Sequence, residues 1–259
     1  MKKLLSLLIA VLLMVTCFAG CGSKDVADSE YVKDNGKLVV GITEFAPMDY
    51  RDDNGEWVGF DADMAKAFAD SLGVDVEFVE IDWDNKALEL DGKSIDCVWN
   101  GMTLTDEVKE SMSCSDAYCN NAQVVVVKAD KAATITSADA CKELKFAVEA
   151  GSAGEDMAKE NKFDYTSVKD QATAVMEVSA GSSDAAIIDL LMAGAMIGEG
   201  TGYADLAYTV ELNSEEYGVG FRKGSDLTEK LNAFFDECLE NGKMMEIAEK
   251  YGVQEAIID

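Results

Sequence analysis

Short runs of apolar, often β-branched residues alternate with amphipathic segments along almost all of this 259-residue chain. The run KLVVG at residues 37–41 is typical of a buried strand. Residues 61–72 then place apolar side chains on one helical face, and Gly73 follows as a residue typical of a helix C-terminus. The same alternation predicts further strands at residues 74–81, 94–100, 123–128, 144–149, 185–188 and 217–221, and helices at residues 155–160, 170–180, 226–240 and 244–251. Strands that alternate with helices in this way predict an α/β fold with largely parallel sheets.

The charged residues exclude several classes of function. Asp and Glu number 50 against 22 Lys and Arg, and the formal net charge is -28. Such a surface repels the phosphates of nucleic acids, so we predict no nucleic-acid partner. Histidine is absent, which excludes Ser-His-Asp and Cys-His catalysis and imidazole metal ligands. Paired-cysteine zinc spacing and an EF-hand-like loop are also missing from the sequence, which therefore predicts neither a metal nor another cofactor.

The N-terminal segment indicates where the protein works. Residues 1–21 have a positively charged start and an apolar run of signal-peptide length, and they end in FAGC. This ending resembles a lipobox, at which bacterial lipoproteins are cleaved and acylated on the cysteine, here Cys21. The alternatives are an ordinary secretory cleavage or an uncleaved anchor, and all three place the remaining chain outside the cytoplasm, on the cell membrane where an anchor is kept. Residues 22–35 are small, polar and charged, and they predict a flexible tether.

The cysteines beyond the lipobox do not predict a disulfide framework. They are five in number, and an odd number cannot form a complete set of disulfides. Cys97 lies in a predicted strand and Cys238 on the apolar face of a predicted helix, so both are expected as small core residues. Cys141 fits either role, and Cys114 and Cys119 are near enough in sequence to approach each other. We interpret the five as mostly free thiols.

The order of the predicted elements suggests two lobes. The alternation restarts after residues 123–128, and residues 217–221 lead the chain back. These two apolar segments are interpreted as crossings between the lobes. The predicted boundaries are residues 36–122 plus 221–259 for lobe 1 and residues 126–216 for lobe 2.

Several motifs in register resemble one protein family. They are LVVGITEFAPMDYRDDNGEWVGFDADMAKAFADSLGVDVEFVEIDWD, DCVWNGMTLTDEVKESMSCSDAY, VEAGS, DAAIID and EEYGVGFRKG, and together they cover nearly all of residues 36–252. In order and spacing they are similar to the polar amino acid solute-binding proteins of ABC importers. The resemblance implies a periplasmic-binding-protein-like fold: two α/β lobes, two hinge crossings and a ligand in the cleft between the lobes. It also implies an amino acid or small amine as ligand, ABC permease subunits as partners, and a monomer held to the membrane through Cys21.

The same resemblance implies a set of ligand-binding residues. They are Glu44, Phe45, Trp83, Asn100, Gly101, Met102, Thr103, Ser152 and Asp189. Phe45 and Trp83 match an aromatic pair that encloses the ligand side chain, and core packing is the alternative role. Glu44 stands where the family often has an acid, in a loop that is one residue shorter here.

The remaining positions match polar contacts to the ligand. Gly101 and Thr103 match positions that offer a backbone group and a hydroxyl, and Asn100 adds an amide beside them. Ser152 matches a turn hydroxyl that contacts the ligand carboxylate, and it is equally suited to cap a helix. Asp189 matches the acid that accepts the α-ammonium group of the ligand, and its alternative is a solvated surface acid.

One position departs from the family pattern. Members of the family usually carry Thr-x-Glu-Arg, in which the arginine binds the ligand carboxylate through two hydrogen bonds. This chain has Thr105-Asp106-Glu107-Val108. Lys109 is adjacent, but one residue along a helix turns the side chain by about 100°, which makes it a poor substitute. Acids and aromatic residues remain, and together they suit a cationic group.

The sequence therefore predicts a lipid-anchored solute-binding protein that captures an amino acid or small amine for an ABC importer, without catalysis. One alternative is a receptor that passes a ligand signal to a membrane signalling protein. Another is a dehydratase-like enzyme on the same fold, in which Glu44 or Asp189 would serve as general acid. The absence of a clamp arginine argues against the enzyme, because substrates of that kind are anionic.

Overall fold

Two large β-sheets and one short two-stranded sheet organise the chain in the computed structural model, which describes residues 26–258. The strands are β1 (Lys37–Ile42), β2 (Tyr50–Arg51), β3 (Trp57–Val58), β4 (Asp75–Glu80), β5 (Cys97–Thr103), β6 (Ser113–Cys114), β7 (Cys119–Asn121), β8 (Gln123–Lys128), β9 (Lys145–Glu149), β10 (Asp164–Val168), β11 (Ala185–Asp189), β12 (Leu206–Glu211) and β13 (Glu215–Phe221). The first large sheet has the order β4-β1-β5-β13-β6, with β7 paired to β13, and the second has the order β10-β9-β11-β8-β12. The short sheet pairs β2 with β3. We call the parts that carry the first and the second sheet lobe 1 and lobe 2.

Helices pack against both sheets and supply their apolar faces to the core. The α-helices are α1 (Asp28–Asn35), α2 (Phe60–Leu72), α3 (Lys86–Asp91), α4 (Asp106–Ser111), α5 (Ala153–Asn161), α6 (Gln171–Ala180), α7 (Leu190–Met196), α8 (Leu227–Glu240) and α9 (Lys243–Tyr251). None of those in the described part of the chain combines the length and the apolar character that a membrane crossing needs. The predicted signal peptide and the lipobox cysteine Cys21 lie outside the described residues.

The sheets are mixed, so the expectation of largely parallel sheets is only half right. β1 runs parallel to β4 and β5, and β9 runs parallel to β10 and β11. β13 is antiparallel to β5, β6 and β7, and β8 is antiparallel to β11 and β12. Helical crossovers between neighbouring strands give parallel pairs. β8 and β13 are instead the strands by which the chain enters a sheet directly from the other lobe, and this reverses their direction.

The crossings between the lobes are shorter than the two segments that the sequence suggested. β7 ends at Asn121 in the first sheet, and β8 begins at Gln123 in the second. The return falls between Glu211, which ends β12, and Glu215, which begins β13. The apolar segments 123–128 and 217–221 are therefore buried strands within the sheets. Their apolar character reflects burial on both faces of a sheet.

The predicted tether is ordered in its second half, which corrects the sequence-based expectation. Residues 28–35 form α1, whose Val32 is fully buried in the core. The side chain of Arg222 donates to Asp28 at 3.1 Å, and the backbone amide of Ser29 donates to Asp226 at 2.9 Å. These contacts with distant residues hold a helix whose own sequence carries only a weak apolar pattern.

The five described cysteines are free thiols, as the sequence indicated. Cys97 and Cys238 are buried in the main core, as expected, and Cys141 packs in the core of lobe 2. Burial raises the pKa of the Cys97 thiol well above its usual range and also raises that of Cys114. These thiols are therefore protonated at neutral pH and are poor nucleophiles.

Candidate functional site

A cavity of about 210 Å³ lies between the two lobes. Lobe 1 lines it with the turn around Trp83, the start of α3, the carboxyl end of β5 and helix α4. Lobe 2 lines it with the carboxyl ends of β9 and β11, the start of α5 and the first residue of α6. Strand ends and helix N-termini of both lobes therefore meet there, which is the usual position of ligands in open α/β sheets.

The carboxyl end of β5 brings four of the predicted residues to the cavity: Asn100, Gly101, Met102 and Thr103. Asn100 is committed to lobe 1, since its side chain accepts from the backbone of Thr43 at 3.0 Å and donates to the Thr43 hydroxyl at 2.9 Å. The Thr103 hydroxyl donates to Glu215 at 3.0 Å. These side chains are fixed by the protein before any ligand arrives, which lowers the entropic cost of binding.

Gly101 occupies a position that requires glycine. Its φ is 56°, and its backbone amide donates to the buried carboxylate of Asp61 at 2.6 Å. A Cβ on Gly101 would lie 2.4 Å from the ring of Phe45. The amide that the resemblance assigned to the ligand is therefore used by Asp61 in this structure.

The expected aromatic pair is not formed in the cavity. Trp83 lines the cavity, whereas neither Phe45 nor Glu44 lies among the lining residues. Phe45 is 1% exposed and packs edge-on against Tyr217, with ring centroids 6.2 Å apart. Phe45 thus takes the core-packing role, because the close approach that Gly101 permits draws its ring into lobe 1. Glu44 is half-buried outside the cavity, and burial raises its pKa.

Ser152 lines the cavity as a helix cap. Its hydroxyl donates to the carbonyl of Glu149 at 2.8 Å and accepts from the backbone amide of Glu155 at 3.2 Å. It is therefore the N-cap of α5, one of the two roles that the sequence allowed. Thr105 caps α4 in the same way by accepting from the amide of Val108 at 3.1 Å.

Asp189 ends β11 at the wall of the cavity, where it is buried and held by four donors. Its carboxylate accepts from Tyr217 at 2.6 Å, Asn121 at 2.5 Å and Gln123 at 3.0 Å, and it also accepts from Gln171. Burial, together with the charge of Glu215, raises the pKa of Asp189 to about 7 against the lowering effect of these hydrogen bonds. The network keeps the carboxylate in one orientation, with a charge that responds to its surroundings near neutral pH.

Glu149 is a site residue that the sequence reasoning missed. It ends β9 as Asp189 ends β11, and it is 2% exposed. Its Oε1 has no hydrogen-bond partner among residues 26–258. Burial raises the pKa of Glu149 well above its usual range, with a further increase from the charge of Asp189. The signal was present in the sequence, because an acid directly follows the apolar run FAV and stands two residues before Gly151 of the Gly-Ser turn.

Lys86 is a second residue that the sequence reasoning missed. It opens α3, and its Nζ donates to the carbonyl of Trp83 at 3.2 Å and to the carbonyl of Gly151, in the opposite lobe, at 2.9 Å. The ammonium group also lies 5.0 Å from the ring centroid of Trp83. Burial lowers the pKa of Lys86, and the charge of Glu149 is the largest influence that opposes this.

The position of the missing arginine contributes no charge. Val108 is buried among the apolar residues of lobe 1, including Ile81, Leu90 and Met112, while Lys109 is exposed to solvent. The carboxylates of the described chain also form no group of three or more that could hold a metal ion.

Comparisons with known proteins identify the family. Residues 38–254 match the profile of the bacterial extracellular solute-binding proteins, family 3. The L-cystine-binding protein TcyJ of Escherichia coli K12 is 31% identical over 245 residues, which cover 92% of this chain and 91% of the relative. The arginine-binding extracellular protein ArtP of Bacillus subtilis 168 is 30% identical over 258 residues, which cover 97% of this chain and 98% of the relative.

Solved structures agree with this match. A substrate-binding protein of an ABC uptake transporter from Streptococcus pneumoniae with bound histidine gives a TM-score of 0.80 at 28% identity, covering 90% of this chain and 99% of that one. The ancestral amino acid-binding protein AncCDT-1, a precursor of cyclohexadienyl dehydratase, gives 0.78 at 32% identity, covering 86% and 98%. The chain therefore belongs to the bacterial extracellular solute-binding proteins, family 3, whose members work outside the cytoplasm. This confirms the expected family and the two-lobed α/β fold.

Proposed function

We propose that this protein captures an amino acid with a cationic side chain outside the cytoplasm and delivers it to an ABC importer. The observation that carries the proposal is the buried carboxylate of Glu149, whose Oε1 is unpartnered among the described residues while the residue lines the cavity. A buried and unpaired carboxylate costs several kcal/mol in a protein interior, on the order of the cost of breaking a buried ion pair. A cationic ligand group removes that cost when it binds.

The other charges of the cavity favour the same ligand. Six acidic residues and two lysines line it: Asp84, Glu107, Glu149, Glu155, Asp156, Asp189, Lys86 and Lys159. An excess of carboxylates in a partly enclosed cleft attracts cations and repels anions. Trp83 adds an aromatic face, which binds cationic groups through the ring electrons.

Asp189 and Glu149 divide the binding of positive groups in this proposal. Asp189, oriented by four donors, accepts the α-ammonium of the ligand, and Glu149 accepts the cationic side chain. Enclosure between the lobes removes water, so each charged hydrogen bond becomes stronger and more selective. Contacts such as the ion pair between Lys169 of lobe 2 and Glu80 of lobe 1, at 2.6 Å, support the closed arrangement.

The names of the relatives support further parts of the proposal, namely binding without catalysis and partnership with an ABC importer. ArtP is named for arginine and TcyJ for cystine, and both are binding proteins without a named catalytic activity. We infer binding without catalysis for this chain as well, with ABC permease subunits as partners. A lipid anchor at Cys21 and a monomeric state complete the proposed function.

A calorimetric and thermal-shift screen tests the ligand class. The panel contains L-arginine, L-lysine, L-ornithine, L-histidine, L-cystine, L-glutamine and L-glutamate. We expect binding of at least one cationic amino acid, and a loss of about 10-fold or more for that ligand in Glu149→Gln, since a charged hydrogen bond is worth about 1.5–3 kcal/mol. Glu143→Gln is the matched control, because Glu143 is an exposed glutamate of lobe 2 that does not line the cavity. Tighter binding of glutamate or glutamine than of every cationic amino acid would overturn the proposal.

A further inference from the structure

The ammonium group of Lys86 is the unmatched positive charge of the cavity. The cavity has two lysines in its lining, Lys86 and Lys159. Lys159 pairs with Glu155 at 2.9 Å and with Asp156 at 3.2 Å. Lys86 forms no ion pair with any of residues 26–258 and is bound only by neutral carbonyl groups. Its charge is therefore oriented by hydrogen bonds but has no carboxylate in direct contact within the described chain, although the charge of Glu149 acts on it from a greater distance.

The hydrogen-bond inventory of Lys86 leaves room for one more partner. An ammonium group has three donors and no acceptor. Two of them are used by the carbonyls of Trp83 and Gly151. The third has no partner among the described residues, on a side chain that lines the cavity. A free donor on a half-buried cation favours an anionic acceptor, since such a hydrogen bond is short and about twice as strong as a neutral one.

The position of Lys86 depends on both lobes. Trp83 belongs to lobe 1 and Gly151 to lobe 2, and the ammonium bridges their carbonyls. The donor is thus held in place only when the lobes are together. An anion that binds Lys86 in the cleft stabilises the same closed arrangement.

We infer that Lys86 binds the α-carboxylate of the amino acid ligand; this inference rests on the proposed function. Lys86 binds the negatively charged carboxylate of the ligand at one end of the site. Glu149 and Asp189 bind its positively charged groups at the other end. A zwitterionic ligand with a cationic side chain satisfies the unpaired charge of Lys86 and the unpaired oxygen of Glu149 together. Val108 and Met112, which line the cavity near the start and end of α4, are apolar and supply no competing cation.

Matched pairs of ligands test this assignment directly. Each amino acid is compared with the amine that remains when its carboxylate is removed: L-arginine with agmatine, L-lysine with cadaverine, and L-histidine with histamine. Titration calorimetry measures each pair on the wild type and on Lys86→Met, which keeps the length of the side chain and removes its charge. The control is Lys109→Met, at an exposed lysine outside the cavity lining, and thermal unfolding of each variant verifies that it folds.

The expected result is a change in the preference of the protein for each amino acid over the corresponding amine. The wild type should prefer the amino acid over its amine by about 100-fold, since removal of one partner of a buried charge pair costs about 2–5 kcal/mol. Lys86→Met should lose this preference by weakening the amino acid alone, Lys86→Arg should retain part of it, and Lys109→Met should retain nearly all of it.

Two outcomes would overturn the inference. If Lys86→Met weakens the amino acid and the amine equally, Lys86 acts only as a contact between the lobes, and the proposed function stands without this role. If the wild type binds none of the cationic amino acids, the proposed function itself fails and the inference fails with it.

Discussion

Adding a single methyl group at Gly151 should weaken ligand binding through an effect that is distinct from its effect on folding stability. Its φ is 69°, and its backbone lies against Asp84 of the opposite lobe. A Cβ at Gly151 would stand 2.8 Å from the Cα of Asp84 and 2.7 Å from its Oδ1. The contact with the Cα cannot be relieved by a change of rotamer. Gly151→Ala is therefore incompatible with the closed arrangement of the lobes seen here.

The expected energetic cost of Gly151→Ala has two separate parts. The left-handed backbone costs an alanine about 1–2 kcal/mol, and this strain is present whether the cleft is open or closed. The clash with Asp84 exists only in the closed arrangement, and moving the lobes apart to relieve it also lengthens the 2.9 Å hydrogen bond from Lys86 to the Gly151 carbonyl. We expect the second part to weaken ligand binding by about 100-fold, which corresponds to about 2.7 kcal/mol.

Gly181→Ala is the matched control in the same lobe. Gly181 has a φ of 79°, and a Cβ there would meet nothing within 4 Å. Both variants should lose a similar free energy of unfolding in urea titrations, and only Gly151→Ala should lose affinity in calorimetry with the ligand found in the screen. Equal affinities of the two variants would refute the reasoning from the structure, because the strain is common to both and the clash belongs to one.

Three further predictions concern charges. Asp189→Ala should weaken ligand binding by about 100-fold in calorimetry through loss of a buried charge partner, whereas the exposed Lys109→Ala should not, and equal losses would contradict the assigned roles. Burial raises the pKa of Asp61 to about 7, so the folded state holds a proton that the unfolded state releases near pH 4. The free energy of unfolding should therefore fall by about 2 kcal/mol between pH 5 and 7, and chemical denaturation should show a smaller fall for Asp61→Asn. Arg222→Met should cost about 3–5 kcal/mol in denaturant titrations because it leaves buried carboxylates unpaired, and an effect no larger than that of the exposed Arg51→Met would contradict this.

The residues chosen from the sequence for the site had unequal outcomes in the structure. Trp83, Asn100, Gly101, Met102, Thr103, Ser152 and Asp189, which the family resemblance implied, all line the cavity. Phe45 was assigned by the same resemblance but packs in the core. Whether its ring faces the cleft or the core depends on the space beside Gly101. That space is formed by tertiary contacts, so it cannot be predicted from the local sequence.

Glu149 and Lys86 are cavity residues that the sequence analysis did not single out from the other charged residues. The apolar run before Glu149 makes it one candidate among 50 acidic residues, and its burial at the cavity, which is set by the strands and helices around β9, shows that it belongs to the site. Lys86 is one of 22 basic residues, and only the approach of Gly151 from the other lobe fixes its ammonium in the cleft. The role of both side chains in the cleft depends on contacts with residues that are distant in the sequence.

The sequence by itself determined the α/β class, most strands and helices and the exclusion of histidine chemistry, because hydrophobic period, turn residues and composition are local properties. Only the tertiary structure decided the antiparallel directions of β8 and β13, the short crossings near residues 122 and 212–214, and the helical state of residues 28–35. It also decided which charges are paired. Pairing depends on distances of a few ångströms between residues far apart in sequence, and those distances exist only after both lobes have folded and met.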